Sequence, residues 1–152
     1  RVQAELLALE ATRLRLLELI DGDAAAFAPL AAAYGMARDT DEAAAAQRAA
    51  LQVALVDACE VPLEIMRQCV QVIESCVFLG RHGSVLAVSD AGAGAVLAKA
   101  ALLAASLNVR INIGSMDDEA RAAAYREQME DLIAAGSALA DDVYADVVER
   151  LG

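Results

Sequence analysis

Tryptophan is absent from the 152 residues, aromatic side chains make up 3%, there are two prolines and one histidine, and 12 Lys plus Arg face 23 Asp plus Glu. Each shortage excludes something. A single His cannot supply a His-rich metal site. A net charge of −11 without a basic run opposes non-specific contact with nucleic acid or anionic lipid. The residues that strands favour are sparse, which argues against all-β and doubly wound folds. Cys59, Cys69 and Cys76 are odd in number, lie in helical sequence and match no zinc spacing, so they are expected to be reduced core residues of a cytosolic protein. The longest uncharged stretches, between Asp23 and Arg38 and between Lys99 and Arg110, fall short of the roughly 18 apolar residues of a membrane span, so a soluble protein is expected. The chain starts at Arg1, with no Met and no signal-peptide pattern, and reads as lacking its natural start.

Hydrophobic residues are abundant at 59%, and roughly a quarter of the chain is Ala, which excludes disorder and favours helices packed through small side chains. Val2 to Ile20 has amphipathic three-to-four spacing, with Asp21-Gly22-Asp23 as its stop. Asp23 is then placed as N-cap of a short helix through Ala33. Thr40, followed by Asp41 and Glu42, caps a helix with the stripe Ala44, Arg48, Leu51, Leu55, Ala58, and Pro62 is expected to kink or restart it before about Leu79. Gly80 to Ser89 reads as a loop, Ser89-Asp90 as the cap of the next helix, and Asp118 to Leu151 as one long charged helix with a bend at Gly136. No repeat or linker interrupts residues 1–152, so the prediction is one all-α domain, a bundle of five or six helices with long antiparallel members, and oligomeric.

Several residues have a plain role and a chemical one. Arg48 lies on an apolar stripe, where a cation needs an anionic partner; antiparallel return of the chain puts Asp23 or Phe27 near it, or its stem packs while its head reaches solvent or an intramolecular carboxylate. Asp90 either caps its helix or, with Ser89 as cap, is left free, and Gly92 and Gly94 clear space beside it for a ligand or a backbone. Asn108 and Asn112 share one helical face with Asp90, Gly94, Leu97, Ala101 and Ala105, and either cross-link helices or bind a polar ligand. Asn112 lies about 33 Å from Asp90 along a straight helix, so the two can share a site only across subunits. His82, beside Arg81 in a loop, is a solvent residue, a proton shuttle or part of an anion entrance. No phosphate loop, nucleophile elbow or paired metal ligands are present.

The runs Asp21-Gly22-Asp23-Ala24-Ala25-Ala26-Phe27, Arg48 to Leu51, Ala58-Cys59-Glu60-Val61-Pro62-Leu63, Ser89-Asp90-Ala91-Gly92 and Asn108-Val109-Arg110-Ile111-Asn112 resemble, in order, the C-terminal domain of the formiminotransferase-cyclodeaminase family. The resemblance implies an all-helical domain that forms homodimers or higher homo-oligomers and acts on tetrahydrofolate one-carbon units. It implies cyclodeamination of 5-formiminotetrahydrofolate to 5,10-methenyltetrahydrofolate and ammonia, or, as the alternative, methenyltetrahydrofolate cyclohydrolase activity. A non-catalytic helical oligomer or accessory subunit is the third reading. Asp23 and Asp90 match motif positions and are the expected acid and base. Phe27, Arg48, His82, Asn108, Arg110 and Asn112 are the expected substrate-binding residues, the arginines suiting an anionic glutamyl tail and the amides a pteridine edge. No cofactor or metal is expected, and folate is the expected partner, without nucleic acid or membrane, in the cytoplasm. A Pro-Gly-Gly-Gly-Ser-like segment that the family carries ahead of its first helix has no counterpart here, so part of a site is expected to be deleted or to lie outside these residues.

Overall fold

The structure, a computed structural model, describes residues 2–152, and among these every element is helical. The four helices are α1 (Val2–Tyr34), α2 (Asp41–His82), α3 (Val88–Ile113) and α4 (Glu119–Leu151), with a 3-10 turn at Val85–Ala87. The expected count of five or six is corrected to four because two breaking signals do not break the chain. Asp21-Gly22-Asp23 lies inside α1. A lone Gly costs a helix only about 1 kcal/mol, and α1 is held on both sides of it by buried Leu19 and Leu30. Asp23 is therefore a mid-helix residue and caps nothing. Pro62 likewise lies inside α2, its ring fully buried. Proline has no N–H for the carbonyl four residues back, Ala58. That oxygen accepts instead from Asn112 Nδ2 of α3 at 2.6 Å.

The ends of the helices follow local chemistry more closely. Thr40 Oγ1 accepts from Ala43 N at 3.1 Å, so the cap expected there forms, and Asp118 Oδ1 accepts from Arg121 N at 3.0 Å, a cap at the start of α4 that was not anticipated. The expected loop from Gly80 to Ser89 is shorter than predicted, since α2 continues to His82 and α3 starts at Val88. Ser84, not Ser89 or Asp90, supplies a side-chain cap here, accepting from Leu86 N at 3.3 Å. Ser89 and Asp90 sit in the first turn of α3, whose start has no side-chain cap.

Helices α2, α3 and α4 pack on one another, whereas α1 packs on α2 alone. Leu63 and Met66 of α2, Leu102 and Val109 of α3 and Met129 of α4 form the centre of the three-helix core. Glycines set its spacing. A Cβ on Gly136 would lie 2.6 Å from Leu102 Cδ2, so α4 runs through Gly136 at close approach to α3. A Cβ on Gly92 would lie 3.1 Å from Val147 Cγ1, and one on Gly94 3.1 Å from Cys76 Sγ. The space expected there for a ligand is thus filled by α4 and α2. All three cysteines are buried and unpaired, as expected. Burial, with Glu60 next in effect, pushes the Cys59 thiol up to about 12.

The outer surface is less expected. The seam of α1 on α2 is partly polar, with Thr12 donating to Gln71 at 3.3 Å and Ser75 to Glu5 at 3.4 Å. Large apolar side chains point outward instead: Leu7, Ile20 and Phe27 from α1, and Leu97, Leu107 and Ile111 from α3 are each at least 59% exposed. The stretch Val85–Ile113 is long and apolar enough to cross a bilayer by length and composition, with a mean hydropathy of 1.5 over its most apolar window and a third of that window buried. Counting uncharged runs did not find it, because Lys99 and Arg110 divide an otherwise apolar helix.

Candidate functional site

Because α1 and α3 lie on α2 without packing on each other, a groove runs between them with α2 as its floor. At one end it deepens to a cleft of about 250 Å³. Asp23, Phe27 and Tyr34 form the α1 wall, Asn108, Ile111 and Asn112 the α3 wall, and Ala58 lies at the floor with Leu30. Four of the eight residues singled out in the sequence therefore meet: Asp23, Phe27, Asn108 and Asn112. Helical spacing explains each wall. Asp23, Phe27 and Leu30 are successively four and three apart, and Ile111 and Asn112 lie three and four residues after Asn108, so each set lines one side of its helix. A floor of aliphatic side chains beneath one carboxylate and two amides suits a flat, polar-edged heterocycle.

The polar groups differ in freedom. Asp23 makes no side-chain hydrogen bond or ion pair within the described chain and faces solvent. Asn108 is exposed and unbonded. Asn112 is half-buried and committed to the Ala58 carbonyl, so the helix cross-link expected as its plain role is real.

The other four lie elsewhere. Arg48 follows its plain reading and not the proposed neighbours Asp23 or Phe27: its side chain is 70% accessible and its head meets an intramolecular carboxylate, Asp117, in a two-pronged contact of 2.6 Å on each prong. With α1 unbroken, the α1 end opposite its turn of α2 is near Ala33, whose carbonyl accepts from Gln47 at 3.2 Å, rather than Asp23 or Phe27. The pair raises Arg48 and lowers Asp117 chiefly through the hydrogen bonds themselves. His82 stacks on Phe78 with ring centroids 4.7 Å apart, and neighbouring Arg81 meets Asp146 at 3.8 Å. Arg110 is exposed, two residues from each Asn and so on the far side of α3 from the cleft. Asp90 is exposed at the opposite end of α3 and has no partner within the described chain.

Tyr34, Ile111 and Ala58 were not anticipated. Tyr34 read as a helix end, and Ala58 and Ile111 appeared only within the family-like runs, Ala58 also on the stripe of α2, without being singled out for a site. A larger cavity of about 330 Å³ between α2 and α4 has walls of mixed charge, Arg81 and Arg150 against Asp142 and Asp146. Among the described residues no three His, Cys, Asp or Glu side chains converge as a metal site would require.

A family model described as formiminotransferase-cyclodeaminase matches residues 1–131. The chain belongs to this family. It is 36% identical over 142 residues to a methenyltetrahydrofolate cyclohydrolase of Methylorubrum extorquens, covering 93% of this chain and 68% of that protein. It is 31% identical over 104 residues to a formimidoyltransferase-cyclodeaminase of Gallus gallus, covering 68% of this chain and 19% of the chicken protein. A solved formiminotetrahydrofolate cyclodeaminase of Thermotoga maritima shares the fold with a TM-score of 0.71 at 26% identity, over 95% of this chain and 66% of that one. The chain thus spans about two thirds of the length of the cyclohydrolase and of the solved cyclodeaminase, and about a fifth of the chicken protein.

Proposed function

We propose that this chain is a cytosolic folate one-carbon enzyme acting at the 5,10-methenyltetrahydrofolate cation, by hydrolysis to the 10-formyl compound first and by cyclodeamination of 5-formiminotetrahydrofolate second. The observation that carries it is the cleft, where Asp23 and the Asn108–Asn112 pair stand over an apolar floor at the positions where the family resemblance places them. Hydrolysis leads because the cyclohydrolase relative has the higher identity, 36% over 93% of this chain against 31% over 68% for the chicken protein and 26% over 95% for the solved cyclodeaminase. The solved cyclodeaminase keeps the second reaction in view.

In hydrolysis, water adds to the methenyl carbon and gives one proton to the Asp23 carboxylate. The hydroxyl of the adduct then loses its second proton as the formyl C=O forms, the bond from that carbon to N5 breaks with its electron pair going to N5, and N5 takes up a proton, so that one proton is released net. The negative carboxylate also stabilises the cationic ring before attack. In cyclodeamination, N10 attacks the formimino carbon and gives its proton to a carboxylate, and the bond from that carbon to the formimino nitrogen breaks as a carboxylic acid delivers a proton to the departing ammonia. Phe27 and Ile111 cover the ring faces, and neither chemistry asks for a cofactor. Arg48 is already paired and Arg110 lies on the far side of α3, so the glutamyl tail is left at the solvent-facing mouth.

A homodimer completes this reading. The exposed residues of α3 from Ala93 to Leu107 carry no charge, which lets two copies of a −11 chain meet there. An antiparallel two-fold crossing centred between Ala100 and Ala101 seats Leu97 against the partner subunit's Ala104, large against small. The same crossing brings the partner subunit's Asp90 beside Asn108 and Asn112. The second carboxylate then comes from the other copy.

Methenyltetrahydrofolate given to purified protein should lose its methenyl absorbance faster than in buffer. 5-Formiminotetrahydrofolate should gain that absorbance and release ammonia if the second reaction is the true one. Neither change in the presence of the dimer would leave only the non-catalytic oligomer.

A further inference from the structure

Resting on that reading of the cleft, we infer that Asn112 is a specificity residue whose amide is turned by Pro62 to present an acceptor, and only an acceptor, to the folate ring edge, so that the cleft selects the pterin 2-amino group. The reasoning starts in α2. Pro62 has no N–H, which leaves the Ala58 carbonyl without its helical donor. Asn112 Nδ2 fills that vacancy at 2.6 Å. A carbonyl oxygen can only accept, so the nitrogen of the amide must face it and the amide cannot turn over. Its oxygen is held on the opposite side, with no partner within the described chain. Among the described residues no buried side-chain oxygen or nitrogen lacks a partner, so this oxygen reaches solvent, and Asn112 is part of the cleft wall. An ordinary residue at 62 would bond the Ala58 carbonyl within α2 and free the amide to offer either end. Asn108, exposed and unbonded, has that freedom.

With Asp23, also an acceptor when ionised, the cleft offers Asn112 to a ligand edge that donates. The 2-amino group beside N3–H is such an edge. Pro62 touches no ligand in this scheme and acts as a positioning residue.

Calorimetric titration with 5-formyltetrahydrofolate and with its 2-desamino-2-methyl counterpart tests this on the intact protein, on Pro62→Ala and on Asn112→Leu. The wild type should prefer the amino compound by about tenfold. Both variants should bring the ratio towards one by losing affinity for the amino compound, while affinity for the counterpart changes less than about twofold. Thermal unfolding gives an independent reading: Asn112→Leu should lower Tm in the wild-type background and much less when combined with Pro62→Ala. A retained preference in either variant overturns the inference, and if Pro62→Ala does not fold, Asn112→Leu alone decides. Equal wild-type affinity for the two compounds overturns it while the folate reading stands. No wild-type binding of either compound overturns both.

Discussion

With both oxygens of Asp23 unpartnered at the mouth of the cleft, Asp23→Asn removes the proposed base and disturbs no packing. Turnover should fall by about 10²–10⁴-fold while the urea midpoint moves by no more than the equivalent of about 0.5 kcal/mol, because surface changes away from caps and cores rarely cost more. Normal turnover would return Asp23 to the status of a solvent residue. Tyr125 makes a different residue-scale prediction. Burial first and the Glu60 hydrogen bond second push its phenol up to about 12, with Tyr125 Oη donating to Glu60 Oε1 at 2.9 Å. The folded state therefore prefers the protonated phenol. Its contribution is complete below the ordinary phenol value near pH 10 and is lost as pH rises towards 12. Tyr125→Phe should cost about 1 kcal/mol near neutral pH and flatten the alkaline limb of a Tm-against-pH curve. Nothing in the sequence pointed to Tyr125, since its partner lies on another helix, 65 residues away.

Between elements, distance of approach matters more than propensity. Gly136 is buried in the middle of a 33-residue helix, where Ala would ordinarily gain about 1 kcal/mol. An added methyl would meet Leu102 Cδ2 at 2.6 Å and Val70 Cγ2 at 3.2 Å, and Leu102 is fully buried with nowhere to move. Gly136→Ala should therefore destabilise by about 1–2 kcal/mol net, measured by urea unfolding. A neutral or stabilising result would mean that α3 and α4 can separate without loss. The sequence marked Gly136 only as a bend, because contact with Leu102 is a property of two helices. Pro62 shows the same gap. It signals a broken helix until a neighbouring helix supplies the donor that the ring removes.

At the scale of the molecule, Asp23 lines the cleft at one end of α3 and Asp90 stands at the other, and the proposed dimer crossing would unite them. Asp23→Asn and Asp90→Asn proteins, each inactive alone, should regain activity when unfolded together and refolded as a mixture. Statistical pairing makes half of the dimers mixed, each with one intact site, giving about a quarter of wild-type turnover. No recovery would show that each chain works with its own two carboxylates or that Asp90 has no catalytic part. The exposed leucines of α1 and α3 belong to this scale too: each is an ordinary helix residue, and only together do they make a surface that asks for a partner.

The amino-acid pattern alone determined the helical class, the cap at Thr40, the start of the last helix at about Asp118, the buried thiols and the family, because caps, periodicity and short motifs are local and survive in any packing. It also named four residues of the cleft, through their spacing on single helices and the family resemblance. The tertiary structure decided what crosses between helices: that α1 and α2 continue through Gly22 and Pro62, that Arg48 meets Asp117, and that Asn112 is held to the Ala58 carbonyl. Those outcomes depend on burial and on donors and acceptors brought together from 54 to 69 residues apart. Local propensities of about 1–3 kcal/mol cannot settle them once a packed neighbour contributes as much.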